Sequence, residues 1–298
     1  MKKNIDLHIH TNMSDGVFSP KEIIDLAKRN NVGALSITDH DTLAAYNEEI
    51  FEYAKENDIK LITGVEISTK IDKCGIHVLG YNVDYKNKFL NEMLYKIRNA
   101  RHIYLKDVSE KLLELGYKIN VEELDKIEVV TKAHISLDIV NNPENEKVLL
   151  DEFGKIPSKG EFIEGIMNEG CKAYVTKYVP TLKEIAEAIR NANGKVVLAH
   201  PVAYVYVDNL TTDDIQNIVD ELKPDGVEAN YIYVTKDEKV IDDSKIWNDF
   251  SNKNGLFVTV GSDFHRIDEL HPKVGLISKD LNLSDEIKDK IVENILRG

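Results

Sequence analysis

Cysteine is scarce in this 298-residue chain, and long apolar runs and an excess of basic charge are missing from it. Its two cysteines, Cys74 and Cys171, lie far apart and in no paired-cysteine metal motif, so we expect reduced thiols in a cytoplasmic protein. No apolar run reaches the roughly 20 residues that span a bilayer, and the first residues lack the apolar stretch of a signal peptide. A formal net charge of -14 argues against a protein that coats nucleic acid, because backbone phosphates require a basic surface.

The chain does contain a repeated alternation of short apolar runs with amphipathic helical patterns, which favours a β/α architecture. The runs are β-branched and apolar on both faces, as parallel strands covered by helices are. The predicted strands are Ile5–Ile9, Ala34–Ile37, Lys60–Ile62, Ile76–Tyr81, Val196–Ala199, Gly226–Ala229 and Leu256–Val260. Two helices have clear starts, at Ser19 with Glu22 and at Thr181 with Glu184, each the pattern of a capping box.

The alternation of strand and helix patterns stops in the middle of the chain, where no strong strand signal appears. Leu90–Gly116 predicts one long helix or two, and Val129–Phe153 is also mainly helical by composition. We therefore predict an α/β protein in which residues 1–87 and 171–298 form a barrel. Residues 88–170 would form a small helical insertion domain, which could act as a lid.

Histidines and carboxylates recur along the predicted strands of the first third of the chain. His8 and His10 stand at i and i+2, so on a strand both imidazoles point to one face and can reach one metal site. The alternative is two polar residues on an exposed strand. Asp15 follows in a loop that could return over the strand end, and His40 is either a salt-bridged surface residue or a ligand. Glu66 lies in a β-rich run, a costly place for a charge unless it is paired or metal-bound.

The same pattern continues downstream. His77 lies in a predicted strand, His200 ends another, and Asp263 with His265 repeats the i, i+2 spacing. In a parallel barrel the carboxyl ends of the strands are where sites assemble, so we expect these side chains to converge. His271 does not fit this pattern, and we interpret it as a loop residue.

Taken together, these motifs resemble the PHP (polymerase and histidinol phosphatase) superfamily. The resemblance rests on Asp6–His10 with Ser14-Asp15-Gly16, Ile37–Thr42, Gly64–Ser68, Ala199–Pro201 and Gly261–His265. It implies a distorted seven-stranded β/α barrel with a metal cluster at the carboxyl edge of its strands. The ligands that it implies are His8, His10, Asp15, His40, Glu66, His77, His200, Asp263 and His265.

Within the superfamily the chain looks like the branch that hydrolyses nucleoside 3',5'-bisphosphates and short 5'-phosphorylated oligonucleotides. The likeness rests on Ser14–Gly16 with Pro20–Glu22, on Arg98–Arg101, on Thr131–Ile135 and on Ala173–Val175. Lys132 stands where that branch tends to carry an arginine, which weakens a bidentate phosphate clamp. The predicted substrate contacts are Arg101, Lys132, His134, Lys172 and Lys177; for each lysine the alternative is a solvated surface charge.

The chemistry that this site implies is phosphoester hydrolysis. Two or three divalent ions of manganese, zinc or iron suit imidazole and carboxylate ligands. Three such ions would outweigh the three ligand carboxylates by about +3, which suits a phosphate dianion. We expect metal-bound hydroxide to attack phosphorus, and the 3'-phosphate of a nucleoside 3',5'-bisphosphate or a short oligonucleotide to be the substrate. The alternatives are a histidinol-phosphate phosphatase and a non-catalytic barrel that binds metal or phosphate.

Overall fold

The structure of this protein, a computed structural model, describes residues 3–72, 74–127, 129–235, 237–268, 273–275 and 283–297. His271, predicted to be a loop residue, lies outside the described residues. The chain divides into two compact units, one of residues 1–94 with 180–298 and one of residues 95–179. The assignment of the barrel and the insertion as separate domains stays a prediction.

The strands of the first unit form a seven-stranded sheet and a small hairpin. They are β1 (Asn4–Ile9), β2 (Val32–Ile37), β3 (Lys60–Ile71), β4 (Cys74–Tyr81), β5 (Lys195–Leu198), β6 (Gly226–Asn230), β7 (Tyr233–Val234), β8 (Val240–Ile241) and β9 (Phe257–Val260). The order in the large sheet is β1-β2-β3-β4-β5-β6-β9, and β7 pairs with β8. All seven predicted strands are therefore present.

One strand of the sheet runs against the others. The pairs β1–β2, β2–β3, β5–β6 and β6–β9 are parallel, whereas β4 is antiparallel to both β3 and β5. The expectation of uniformly parallel strands is thus wrong for β4. The connection from Ile71 to Cys74 is too short for a crossover, so the chain can only turn back as a hairpin. This pairing also extends β3 to Ile71, well beyond the predicted end at Ile62.

The two outer strands of the sheet meet and close it into a barrel. Ile9 forms a parallel bridge with Phe264, whose carbonyl oxygen accepts from the backbone N–H of His10 at 2.9 Å. Asp6 completes the seam, because its oxygens accept from the backbone N–H of Ser262 at 3.0 Å and from the Ser262 hydroxyl at 2.6 Å. A side chain thus replaces part of the backbone ladder, and the distorted barrel is confirmed.

The described residues contain twelve α-helices. They are α1 (Pro20–Arg29), α2 (Glu48–Glu56), α3 (Lys88–Glu114), α4 (Val121–Leu124), α5 (Lys132–Val140), α6 (Glu146–Phe153), α7 (Lys159–Phe162), α8 (Leu182–Asn191), α9 (Pro201–Val207), α10 (Thr212–Leu222), α11 (Ser244–Asn254) and α12 (Asp285–Leu296). The predicted capping boxes at Ser19 and Thr181 are confirmed. The segment predicted as one helix or two is one helix, α3. Within the described residues, none of the helices combines the length and apolar character needed to cross a membrane.

Each unit has its own apolar core. In the barrel, buried residues of β1, β3, β4, β5 and β9 pack with Ile291 and Ile295 of α12. Lys288 of α12 donates to the Asn4 side chain at 3.3 Å, so this helix lies near the start of β1. The barrel core is therefore covered at the amino ends of its strands, and the opposite ends carry the polar residues. The helical unit packs α3, α5, α6 and α7 around Phe162 and a π-helical turn, Ile163–Met167.

Candidate metal centre

All nine predicted ligands lie at one end of the barrel. They come from β1 and its loop (His8, His10, Asp15), from the loop after β2 (His40), from β3 (Glu66), from β4 (His77), and from the segments after β5 (His200) and β9 (Asp263, His265). His77 stands near the start of β4 rather than at its end. Because β4 is antiparallel to its neighbours, its amino end lies beside the carboxyl ends of the other strands. The backbone N–H of Ala199 accordingly donates to the His77 carbonyl at 3.2 Å.

The deepest group of donor atoms comprises His8, His10, Glu66 and Asp263. Asp263 Oδ1 lies 3.3 Å from His8 Nε2 and 3.1 Å from His10 Nε2. Glu66 Oε2 lies 3.4 Å and 3.2 Å from the same two nitrogens. Ligands at about 2.1 Å around a tetrahedral cation are separated by roughly 3.4 Å, so these four atoms have the spacing of one coordination shell.

A second group lies toward the loop that follows β1. Asp15 Oδ1 is 3.3 Å from His265 Nε2 and 3.5 Å from His10 Nδ1, and Asp15 Oδ2 is 3.8 Å from His40 Nε2. The His10 and His265 rings stack with their centroids 4.1 Å apart. One carboxylate and three imidazoles can therefore hold a cation here.

The third group is built on the other side of Glu66. Its Oε1 atom is 2.9 Å from His77 Nδ1 and 3.1 Å from His200 Nε2, and its Oε2 atom is 3.1 Å from His40 Nδ1. Glu66 thus belongs to two of the three groups. A carboxylate whose two oxygens face different sets of imidazoles is suited to bridging two cations.

Several ligand atoms of these groups are buried and form no hydrogen bond of acceptable geometry among the described residues. They are His10 Nδ1, His40 Nδ1 and Glu66 Oε2, although His40 Nδ1 and Glu66 Oε2 lie 3.1 Å apart. A buried polar atom without a hydrogen bond costs about 1–3 kcal/mol, so three in one cluster require an explanation. Divalent cations supply it, since lone pairs of imidazole and carboxylate are their ordinary ligands. The residues present therefore fit a divalent metal cluster.

The three carboxylates of the cluster are held in their charged form. Burial alone would raise the pKa of Glu66, but His40 and His77 lower that pKa well below its ordinary value. Burial would likewise raise the pKa of Asp15 and of Asp263, but the facing histidines lower both pKa values below the ordinary range. All three are anionic donors at neutral pH.

The imidazoles divide into two kinds. Burial lowers the pKa of His10, yet its contacts with Asp263 and Glu66 raise that pKa to about 10. The pKa values of His8 and His77 are raised for the same reason, by carboxylates that outweigh burial. Burial instead lowers the pKa of His40 to about 4. Without cations the cluster therefore holds protons that cations must displace.

The Asp15 loop is fastened to the neighbouring strand end by Asp39. The Asp39 carboxylate accepts from the Thr11 hydroxyl and from the Ser14 hydroxyl, each at 2.6 Å. At Gly16 the loop passes so close to β1 that a Cβ atom would lie 2.4 Å from the His10 carbonyl oxygen. Asp39, one of the aspartates that flank His40, therefore supports the ligand Asp15 through its loop.

Two supporting residues were missed by the sequence interpretation. Tyr231 donates its hydroxyl to Asp263 Oδ2 at 3.1 Å, and Glu228 of β6 contacts His8 Nδ1 at 3.0 Å. Glu228 carried a usable signal, because a lone acid in the apolar run of β6 is the same feature that identified Glu66. Tyr231 carried none, since a tyrosine after a strand is ordinary.

Three of the predicted substrate contacts lie on α3 and α5 of the helical unit. Arg101 is only 5% exposed. Lys132 donates from Nζ to Asn168 Oδ1 at 2.9 Å. His134 closes the α5 capping box, with its Nδ1 atom 3.1 Å from the backbone N–H of Thr131. That N–H donates to Nδ1, so the proton of a neutral His134 lies on Nε2. The substrate-binding role of these residues stays a prediction.

The other two predicted contacts lie near the end of the helical unit. Lys172 is exposed, and its Nζ atom is 2.7 Å from both carboxylate oxygens of Glu152. Lys177 is half-buried. The pairing of Lys172 fits the alternative of a surface charge better than it fits a phosphate contact, although an exposed pair can exchange partners at little cost.

Comparison with known proteins agrees with the geometry of the centre. A family model described as the PHP domain matches residues 6–193, more than half of the chain. The chain belongs to the PHP family. A 5'-3' exoribonuclease of Haemophilus influenzae is 30% identical to this PHP protein over 270 residues, which cover 89% of this chain and 91% of the relative. A 3',5'-nucleoside bisphosphate phosphatase of Chromobacterium violaceum is 25% identical over 266 residues, which cover 88% and 87%.

Two solved structures share the fold of this PHP protein. A protein of Bifidobacterium adolescentis assigned as a metal-dependent phosphoesterase matches with a TM-score of 0.72 at 21% identity, covering 100% of this chain and 98% of that one. An amidohydrolase of Chromobacterium violaceum with bound sulfate matches with a TM-score of 0.76 at 24% identity, covering 99% and 98%. With the family and the relatives, the protein is a metal-dependent phosphoesterase, a hydrolase of phosphoric ester bonds.

Proposed function

We propose that this phosphoesterase removes the 3'-phosphate of nucleoside 3',5'-bisphosphates and also acts on short 5'-phosphorylated oligonucleotides. The observation that carries the chemistry is the convergence of nine donor residues. Eight of them form three groups that share His10, His40 and Glu66, and His200 Nε2 lies 3.1 Å from Glu66 Oε1. The choice of substrate is supported by two relatives, an exoribonuclease and a bisphosphate phosphatase, that align with nearly nine-tenths of the chain.

In this proposal the nine residues hold two or three divalent cations of manganese, zinc or iron. When bound, the cations would lower the pKa of water and neutralise charge on the phosphate. Glu66 would be a ligand to more than one of them, because its oxygens face different imidazoles. Asp39 and Tyr231 would keep the carboxylates of Asp15 and Asp263 in place.

The exposure of the donors indicates the side from which a phosphate arrives. His8, His10 and Glu66 are at most 1% exposed, so they form the floor of the centre. Asp15, His77, Asp263 and His265 are 23%, 31%, 22% and 32% exposed, and they border the solvent. We propose that the phosphoryl group approaches over these four residues, where negative protein charge is offset by the bound cations. Arg101, Lys132, His134, Lys172 and Lys177 remain the proposed contacts of the substrate.

One assay on the manganese-reconstituted protein tests this function. Its substrates are adenosine 3',5'-bisphosphate, histidinol phosphate and a 5'-phosphorylated oligoribonucleotide, and released phosphate or nucleotide is measured. We expect kcat/KM to be highest for the bisphosphate, with measurable hydrolysis of the oligonucleotide. Turnover of histidinol phosphate alone would overturn the substrate assignment, and the absence of turnover on all three would favour a non-catalytic barrel.

The metal content of the same preparation is a second test. Elemental analysis after removal of loosely bound ions should give two or three ions per chain. Fewer than two ions in protein that is folded by circular dichroism would contradict the proposed centre.

A further inference from the structure

A buried carboxylate lies behind the metal centre and contacts two of its histidines. Glu228 is in the middle of β6 and is 0% exposed. Its Oε1 and Oε2 atoms are 3.0 Å and 3.1 Å from His8 Nδ1. Its Oε2 atom also accepts from the backbone N–H of His200 at 3.0 Å. The Glu228 side chain lies on β6, between β5 and β9 in the sheet. It therefore contacts one predicted ligand on β1, His8, and one after β5, His200.

The contact with His8 determines which ring nitrogen is available to a metal. A carboxylate can only accept, so His8 Nδ1 must carry the proton. The lone pair of the neutral ring is then on Nε2, the nitrogen that faces Glu66 and Asp263. Hydrogen bonds from the remote nitrogen of a metal-binding histidine to a carboxylate fix the tautomer and the ring orientation.

The contact with His200 acts on the backbone. His200 has a φ of 21°, a conformation that side-chain-bearing residues rarely adopt and that surrounding contacts must hold. The backbone N–H that donates to Glu228 is that of His200. With the backbone held there, His200 Nε2 lies 3.1 Å from Glu66 Oε1.

The end of the neighbouring strand is shaped around the same pair. At Gly261, just after β9, a Cβ atom would lie 2.1 Å from His8 Cβ and 2.5 Å from Glu228 Oε1. Only glycine leaves room for both side chains at this position. The packing thus provides a third observation, independent of the two hydrogen bonds.

We propose that Glu228 is a positioning residue of the metal centre, which holds His8 in the Nδ1-protonated tautomer and His200 in its strained backbone conformation. It is not one of the nine proposed ligands, and it acts by presenting two Nε2 atoms toward Glu66. The inference rests on the proposed assignment of His8 and His200 as ligands.

The substitution Glu228→Gln tests the proposal with almost no change of volume. An amide has one accepting oxygen. Because both Glu228 oxygens lie 3.0–3.1 Å from His8 Nδ1, either orientation of glutamine directs its NH₂ group at the protonated Nδ1 atom. We expect Mn²⁺ affinity of the metal-free protein, measured by competition with a fluorescent chelator, to fall about 10–100-fold. The conservative variant Glu228→Asp keeps the charge and should recover part of the loss.

A matched control lies on the same strand pair at its other end. Asp225 accepts from the backbone N–H of Val196 of β5 at 2.8 Å, as Glu228 accepts from His200. Asp225→Asn therefore makes the same change from carboxylate to amide at a half-buried acceptor away from the ligands. It should leave Mn²⁺ affinity within about threefold of the wild type, since distant sites act independently. Equal affinities for the Glu228→Gln variant, the Asp225→Asn variant and the wild type would overturn the inference.

A measurement on the wild type keeps the test decisive if Glu228→Gln does not fold. Histidine side-chain NMR of the zinc-loaded protein should show His8 with its proton on Nδ1, in slow exchange with water. A proton on Nε2 of His8 would contradict the proposal. Failure of the proposed function is a separate outcome, because it would appear as wild-type protein that binds fewer than two ions.

Discussion

The metal end of the barrel and the core of the helical unit are buried to a similar degree, but the first consists of ionisable side chains and the second of apolar ones. The first contains His8, His10, Glu66 and Glu228, all with side chains removed from solvent. The second is formed by apolar side chains around Phe162. Apolar burial stabilises a fold by itself, whereas buried charge does so only with partners. The helical unit is therefore stabilised by its own packing, whereas the buried charges at the barrel end need partners.

The largest effect that separates the two regions should come from His10→Ala. His10 is a predicted metal ligand in two of the three groups, so its loss should remove at least one ion per chain. Activity should fall by at least about 1000-fold, as when a main electrostatic contact of a transition state is removed. Elemental analysis and phosphate release measure both effects.

The control is His102→Ala in the helical unit, where His102 Nδ1 lies 2.9 Å from an exposed Asp125. Metal content and activity should be unchanged. Equal activity in the His10 and His102 variants would remove the distinction between the two regions.

The helical core should respond in the converse way. Phe162→Ala opens a cavity in a fully buried position and should reduce the free energy of unfolding by about 3–5 kcal/mol. Mn²⁺ affinity of the protein that remains folded should stay within about threefold, because Phe162 and the ligands belong to different compact units. Urea unfolding and chelator competition measure the two quantities. A tenfold loss of affinity would show that this core also determines the metal centre.

Metal binding itself should stabilise the barrel. A cation that binds only the folded state at a concentration 100-fold above Kd adds about 2.7 kcal/mol to the free energy of unfolding. Thermal unfolding with and without Mn²⁺ should show this shift in the wild type and in Phe162→Ala. In His10→Ala the shift should be smaller, and an undiminished shift would place the bound ions elsewhere.

The metal-free barrel should also depend on pH in a direction set by His10. Its folded pKa of about 10 is above the unfolded value of about 6.5, so its stabilising contribution is complete below pH 6.5. The contribution is lost as pH rises through 10, with a slope of at most about 1.4 kcal/mol per pH unit for one proton. Urea unfolding in EDTA at pH 6, 8 and 9.5 should show this decline. Its persistence in His10→Ala would assign it to other groups, such as His8 and His77.

The smallest expected effect is the difference in kcat/KM between substitutions of two predicted substrate contacts in the helical unit. Lys172 is exposed and paired with Glu152, so Lys172→Ala should change kcat/KM by less than about threefold. Arg101 is buried, and Arg101→Lys keeps the charge but loses the planar fork, so kcat/KM should fall about tenfold or more. Kinetics with the bisphosphate substrate compare the two, and an equal effect would show that burial does not distinguish these cations.

Much of the fold was predictable because its signals are local. The capping boxes at Ser19 and Thr181 predicted the starts of α1 and α8, and short apolar runs predicted the positions of all seven strands of the large sheet. The hairpin from β3 to β4 was not predicted. The strand periodicity of β3 and β4 is compatible with either direction, and direction is set by the length of the connection.

The sequence by itself determined which residues could be ligands, since imidazoles and carboxylates at strand ends are a feature of chemistry and spacing. Only the tertiary structure decided how they are grouped, that Glu66 belongs to two groups, and that Glu228 supports His8 and His200 from behind. The physical reason is distance along the chain. His8 and Glu228 are separated by 220 residues, and no local pattern records a contact that exists only after the barrel has closed.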